Sequence, residues 1–218
     1  MRLIPNRFLF RLAYPCRYVK EMPREGEDEA LLELAESCRI DNFAPMDGQT
    51  NFADVRLAWN EFGIGMQVDI RGKEQPPQGD RQKPRSSDGV TVWIDTRGDR
   101  TFHRASRYCH QFHFLAAGAG VEKDEPAFAQ SKIHRALQDA PLVDETTVPF
   151  RCEPIQGGYR LSAFLPAGAL NGFDPQEHSL LGFYYAIRDF ELGEQTLGPA
   201  DFPFAEDPSL WASLDLVR

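Results

Sequence analysis

The chain has 218 residues, enough for one sizeable hydrophobic core and marginal for two, so a single domain over residues 1–218 is expected. Its 24 basic side chains are outnumbered by 33 acidic ones, for a formal charge of −9, which argues against the electrostatic footprint of a nonspecific nucleic-acid binder. Seventeen glycines, 16 prolines and 16 phenylalanines in a 42% hydrophobic chain describe a sheet protein with many turns rather than a disordered one.

No stretch approaches the roughly 18 consecutive apolar residues of a membrane span. The apolar run at Phe8, Leu9 and Phe10 is broken by Arg7 and Arg11, so the start of the chain lacks the h-region of a secretory signal. The expectation is a soluble, cytoplasmic protein, secreted only if a leader has been removed. Cys16, Cys38, Cys109 and Cys152 are scattered without a C-x-x-C pair, which favours reduced, buried thiols over a zinc knuckle or dithiol site.

In chain order, residues 7–19 read as an opening strand with a bend at Pro15, and the acidic stretch Glu21–Glu29 as a loop. Leu31, Leu32, Leu34 and Ala35 form a run too short for periodicity to separate a helical turn from a strand. From Phe52 the pattern sharpens. Val55, Leu57 and Trp59 alternate with polar or small residues, Asn60, Glu61 and Gly63 supply a turn, and Ile64, Met66, Val68 and Ile70 alternate again, which predicts a β-hairpin. Residues 72–87 contain Pro76, Pro77 and Pro84 with no period, and read as a long exposed loop.

In the next strand, Val90, Val92 and Ile94 share one face and leave Trp93 on the other. Arg97-Gly98-Asp99 reads as a plain turn. Tyr108–Leu115 is an aromatic strand that Ala116–Gly120 brings to an end. Residues 121–147 hold one predicted helical turn around Ile133, Ala136 and Leu137, closed by Pro141. Strands follow at Phe150–Ile155, Tyr159–Leu165, Leu181–Ile187 and Leu210–Val217. Many short strands punctuated by turn residues predict an all-β, antiparallel sandwich with long loops and little helix.

The one grouping of ligand-type side chains is His103, Cys109, His110 and His113, with Met46 and Met66 as candidate haem thioethers. On a strand, His110 and His113 point to opposite faces, so they do not converge on one metal without a bulge. No C-x-x-C-H haem site, dinucleotide fingerprint or G-x-S-x-G elbow occurs. The carboxylate pairs Asp95 with Asp99 and Asp189 with Glu191 have the residue types of glycoside hydrolysis, but that chemistry depends on a through-space separation that spacing does not give. No catalytic residue, metal or cofactor is assigned.

Ala53-Asp54-Val55-Arg56-Leu57-Ala58-Trp59-Asn60-Glu61, its hairpin partner and Asp88-Gly89-Val90-Thr91-Val92-Trp93-Ile94-Asp95 resemble the front half of the family 9 carbohydrate-binding modules. Gln111-Phe112-His113-Phe114, Gly157–Ala163, Leu181-Gly182-Phe183-Tyr184, Arg188-Asp189 and Asp207-Pro208-Ser209-Leu210-Trp211 continue it in the same order, over about residues 40–218. The resemblance implies a sandwich of the wider group that includes haem-binding DOMON-like domains.

It also implies a sugar held between two tryptophans, and those positions here are Arg85 and Ala205. Thr91 replaces an acidic residue, His113 an arginine and Ala186 a polar residue. The resemblance therefore implies a non-enzymatic domain with an altered site built from Arg85, Trp93, His113, Arg188, Asp189 and Phe204, taking an acidic sugar or another small anion. The alternatives are a DOMON-like haem module, or a structural or protein-interaction sandwich with no small ligand.

Overall fold

The computed structural model describes residues 12–24, 26, 30–199 and 201–218. The first part of the expected opening strand, residues 7–11, lies outside the described residues, as does part of the acidic loop that follows. Among the described residues eleven strands form one hydrogen-bonded sheet: β1 (Ala13–Tyr18), β2 (Ala53–Asn60), β3 (Gly63–Arg71), β4 (Gly89–Asp95), β5 (Cys109–Ala119), β6 (Glu125–Gln130), β7 (Phe150–Ile155), β8 (Gly158–Pro166), β9 (Leu180–Asp189), β10 (Gly193–Thr196) and β11 (Ala212–Val217). The only helical elements among the described residues are short 3-10 turns. No helix among them is long and apolar enough to cross a membrane.

The spatial order is β6-β5-β4-β9-β11-β1-β2-β3-β8-β7, with β10 pairing onto β9. The sheet curls until its end strands β6 and β7 are neighbours in space, so one continuous sheet forms both layers of a sandwich that is nearly a barrel. Every strand pair is antiparallel except those of β1, which runs parallel to both β11 and β2. This strand closes the two halves of the sheet.

Alternation explains what is buried. Val55, Leu57 and Trp59 of β2, Ile64, Met66, Val68 and Ile70 of β3, and Val90, Val92 and Ile94 of β4 enter one core with Phe112, Phe114, Phe183 and Tyr185. Burying such side chains stabilises by ~1.5–3 kcal/mol each. The run at Leu31, Leu32 and Leu34 forms neither helix nor strand. It packs with Met22, Cys38, Ala58 and Phe164 as a second cluster on the outer face of β2, β3 and β8, which is why both faces of β3 are buried.

Several elements differ from the sequence reading, and the last strand starts at Ala212 rather than Leu210 because Pro208–Leu210 form a 3-10 turn. β5 runs through Ala116–Ala119 rather than ending there, with a register shift after Leu115. In the region expected to be polar loop, β6 pairs with β5 because Ala127 and Phe128 add to the core. The expected helical turn around Ile133 is only a non-helical turn, in which the Ala136 amide donates to the Ile133 carbonyl at 3.2 Å.

Candidate ligand site

On β4, β5 and β9, residues facing away from the main core share a second sheet face, where Thr91 lies opposite both His113 and Ala186, and Gly89 opposite Arg188. The loop 72–88 and the segment before β11 fold over this face. Between them lies a cavity of about 140 Å³ lined by Pro84, Arg85, Ser87, Gly89, Thr91, Trp93, Leu115, Ala186, Arg188, Glu194, Phe204 and Ala205. Of the six expected site residues, Arg85, Trp93, Arg188 and Phe204 line this cavity. The substituted positions Thr91, Ala186 and Ala205 line it too, although they are dispersed along the chain.

The other two expected residues sit elsewhere. His113 is fully buried behind Thr91: its Nδ1 is 2.8 Å from the Thr91 hydroxyl and its Nε2 2.8 Å from that of Ser131. Burial, together with the positive charge of Arg85, lowers its pKa to about 4, so it is a neutral ring near pH 7. Asp189 is absent from the lining. Its carboxylate accepts from Lys73 Nζ at 2.9 Å and from the Tyr159 hydroxyl at 3.3 Å, because it follows Arg188 and so faces the opposite side of β9.

That carboxylate belongs to the anchor of the loop. Lys73 also donates to Asp88 Oδ2 at 3.1 Å. Asp88 in turn accepts from the backbone of Gln78 at 3.0 Å and of Phe190 at 2.7 Å. Burial on its own lowers the Lys73 pKa, but its bonds to Asp189 and Asp88 outweigh that and hold the ammonium above its ordinary value. Gly79 brings the loop against β5: a Cβ there would lie 2.0 Å from the Ala117 carbonyl oxygen. The loop, exposed along most of its length as expected, is thus tied at both ends, and the tie places Arg85.

Trp93 is 3% exposed, so it is a wall of the cavity rather than an open stacking platform. It meets Phe204 edge-on at 5.3 Å and Tyr184 at 6.1 Å, while Phe204 stacks on Tyr184 at 4.2 Å. Phe204 is half-buried and presents the accessible aromatic surface. Arg85, Arg188 and Glu194 are exposed at the mouth. Sequence reasoning missed Glu194 because β10 has no apolar alternation; Gly193 after the end of β9 was its only signal. It also missed Gln111, which shares the face of His113 two residues away and accepts from Arg85 Nη2 at 3.3 Å.

The histidines do not converge. His110 stacks on Phe112 in the core, and His103 is exposed and bonds Asp207 at 3.0 Å. Among the described residues no group of three His, Cys, Asp or Glu side chains is placed to hold a metal. Met66 is buried in the core and Met46 lies at the surface. The two carboxylate pairs cap their own turns: Asp95 accepts from the Asp99 amide at 3.1 Å and Asp189 from the Glu191 amide at 3.0 Å.

No family model and no curated protein matches the chain. Among solved structures it is similar to a family 9 carbohydrate-binding module from Caldicellulosiruptor kristjanssonii in complex with cellotriose. That match has 13% identity, a TM-score of 0.61, and coverage of 94% of this chain and 93% of that one. A structure with the same description in complex with glucose matches at 13% identity and a TM-score of 0.64, covering 94% and 95%. With all eleven strands in one curled sheet and near-complete coverage in both directions, the chain has a family 9 carbohydrate-binding-module-like fold.

Proposed function

We propose that the protein is a non-enzymatic binding domain whose altered sugar site takes an acidic monosaccharide or a related small anion. The observation that carries this reading is the presence of two guanidinium groups, Arg85 and Arg188, on the lining of one cavity that also offers the Phe204 ring. Guanidinium groups carry fixed positive charge and planar donors, and match a carboxylate better than a neutral hydroxyl. Glu194, opposite Arg188 across the β9–β10 pair, supplies an acceptor for ligand hydroxyls.

The volume of about 140 Å³ confines the enclosed part of a ligand to a small group, since a cavity of ~150 Å³ holds one benzene, and the rest of a monosaccharide would extend into the mouth. The similar structures contain cellotriose and glucose, which supports a carbohydrate as the occupant. With Arg85 and Ala205 where the resemblance implies tryptophans, stacking on a neutral glucan is reduced. Isothermal calorimetry with D-glucuronate, D-glucose and cellobiose is the test. The expected result is glucuronate binding that weakens at least tenfold in Arg85→Ala and in Arg188→Ala. Tight cellobiose binding, or glucuronate binding unchanged in both variants, would overturn the reading.

A further inference from the structure

Behind the cavity runs a chain of hydrogen bonds whose proton positions follow from one another. It starts at Arg85, which can only donate. Because Arg85 Nη2 lies 3.3 Å from Gln111 Oε1, that oxygen is the acceptor and the Gln111 amide nitrogen is turned the other way. This nitrogen lies 3.3 Å from His113 Nε2 and has only hydrogens to offer. The one arrangement that satisfies both of its neighbours puts the lone pair on His113 Nε2, shared between the Gln111 amide and the Ser131 hydroxyl at 2.8 Å. In a neutral imidazole the proton is then on Nδ1.

Nδ1 faces the Thr91 hydroxyl at 2.8 Å, so Thr91 Oγ1 is an acceptor on its inner side. Its own hydrogen remains, and among the described residues no acceptor receives it. Thr91 lines the cavity. We propose that Thr91 is a specificity-determining donor of this site and that buried His113 is the positioning residue that turns its hydroxyl hydrogen toward the ligand. The inference rests on reading the cavity as an anion site, and it sharpens that reading: beside the sheet floor the ligand meets a third donor, after Arg85 and Arg188. A carboxylate oxygen, which only accepts, satisfies such a donor.

Two other features agree with this assignment. His113 is kept neutral, so the single proton on its ring is not replaced by the two that would erase the distinction between its nitrogens. The indole Nε1–H of Trp93, two residues along the same face of β4, is buried and has no hydrogen-bond acceptor among the described residues, so the inner part of the site is short of acceptors rather than donors. Filling it with an acceptor-rich ligand relieves that shortage.

The test combines spectroscopy and binding. Long-range proton–nitrogen correlation spectra of the full chain labelled with nitrogen-15 are expected to show His113 as the neutral Nδ1–H tautomer at pH 7, a form a merely space-filling histidine has no reason to adopt. Calorimetry with D-glucuronate, run well below the melting temperature, is expected to show about a tenfold loss in Thr91→Val, with affinity restored in Thr91→Ser. Thr91→Val is expected to melt lower because the buried His113 Nδ1–H loses its acceptor, while Thr91→Ser melts near wild type. An Nε2–H tautomer, or glucuronate affinity unchanged in Thr91→Val, would overturn this inference alone. Failure of the wild-type protein to bind glucuronate would overturn it together with the anion-site reading.

Discussion

The indole Nε1–H of Trp211 donates to the Phe204 carbonyl at 2.7 Å, so the buried residue immediately before β11 also holds the Phe204 side of the cavity. Trp211 is fully buried, while Phe204 is half-buried and stacked on Tyr184. Packing in the core and placement of the site are thereby linked through one hydrogen bond.

Trp211→Phe removes that donor and part of the buried ring. The expected cost is about 2–4 kcal/mol from the cavity and the lost hydrogen bond. Because the Phe204 carbonyl loses its partner, ligand affinity is expected to fall as well. Chemical denaturation and calorimetry on the same preparation check both effects. A destabilised protein with unchanged affinity would show that Phe204 is held in place by Tyr184 alone.

Lys73→Met leaves Asp88 and Asp189 as buried carboxylates without their cation, for both are fully buried and Lys73 nearly so. Breaking such a cluster costs ~3–5 kcal/mol. Since Asp88 also receives the Gln78 amide, the loop bearing Arg85 is expected to loosen. Urea denaturation reads the first effect, and faster amide exchange at Gln78 and Ser87 the second. A stability within 1 kcal/mol of wild type, on the scale of an exposed pair, would contradict the assigned role.

Gly79→Ala puts a methyl group onto the Ala117 carbonyl oxygen, at 2.0 Å before relaxation. The loop or β5 must move, and overpacking of this kind costs ~1–3 kcal/mol. The Arg85 guanidinium moves with the loop, so glucuronate binding is expected to weaken although Gly79 does not line the cavity. Thermal melting and calorimetry measure the two consequences, and a variant indistinguishable from wild type in both would show that the loop is not seated against β5.

His110 and His113 both have their pKa lowered to about 4, chiefly by burial, from an ordinary value near 6.5. Between these values the unfolded state binds more protons than the folded state, so stability rises with pH across the window from about 4 to 6.5 and is level above it. At the acid end the loss is at most about 3 kcal/mol per histidine. Denaturation midpoints at pH 4.5, 5.5 and 7 check the trend, and His113→Phe is expected to flatten part of it. A stability independent of pH over this range would mean that the rings are solvated.

Alternation alone was enough to predict the all-β fold and the faces of its strands. Val90, Val92 and Ile94 point into the core, which puts Trp93 and Thr91 on the opposite face, because period-two spacing records burial directly. The odd separation of His110 and His113 likewise sent their rings to different faces. Where period is missing, the sequence was silent: β10 has four residues without apolar alternation, and β6 buries only Ala127 and Phe128 among polar neighbours.

Tertiary structure decided everything that depends on contacts between distant segments. The parallel pairing of β1 with β11 and β2 is invisible in a local pattern, since parallel and antiparallel strands alternate alike. Lys73 and Asp189 are 116 positions apart, and nothing in either neighbourhood distinguishes a buried ion cluster from a solvated loop charge. Asp189 and Arg188 are adjacent in sequence yet lie on different faces, one an anchor and one a cavity residue. The role of His113 came from three hydrogen-bonding neighbours, Gln111, Ser131 and Thr91. A side chain's donors and acceptors acquire direction only when folding supplies their partners.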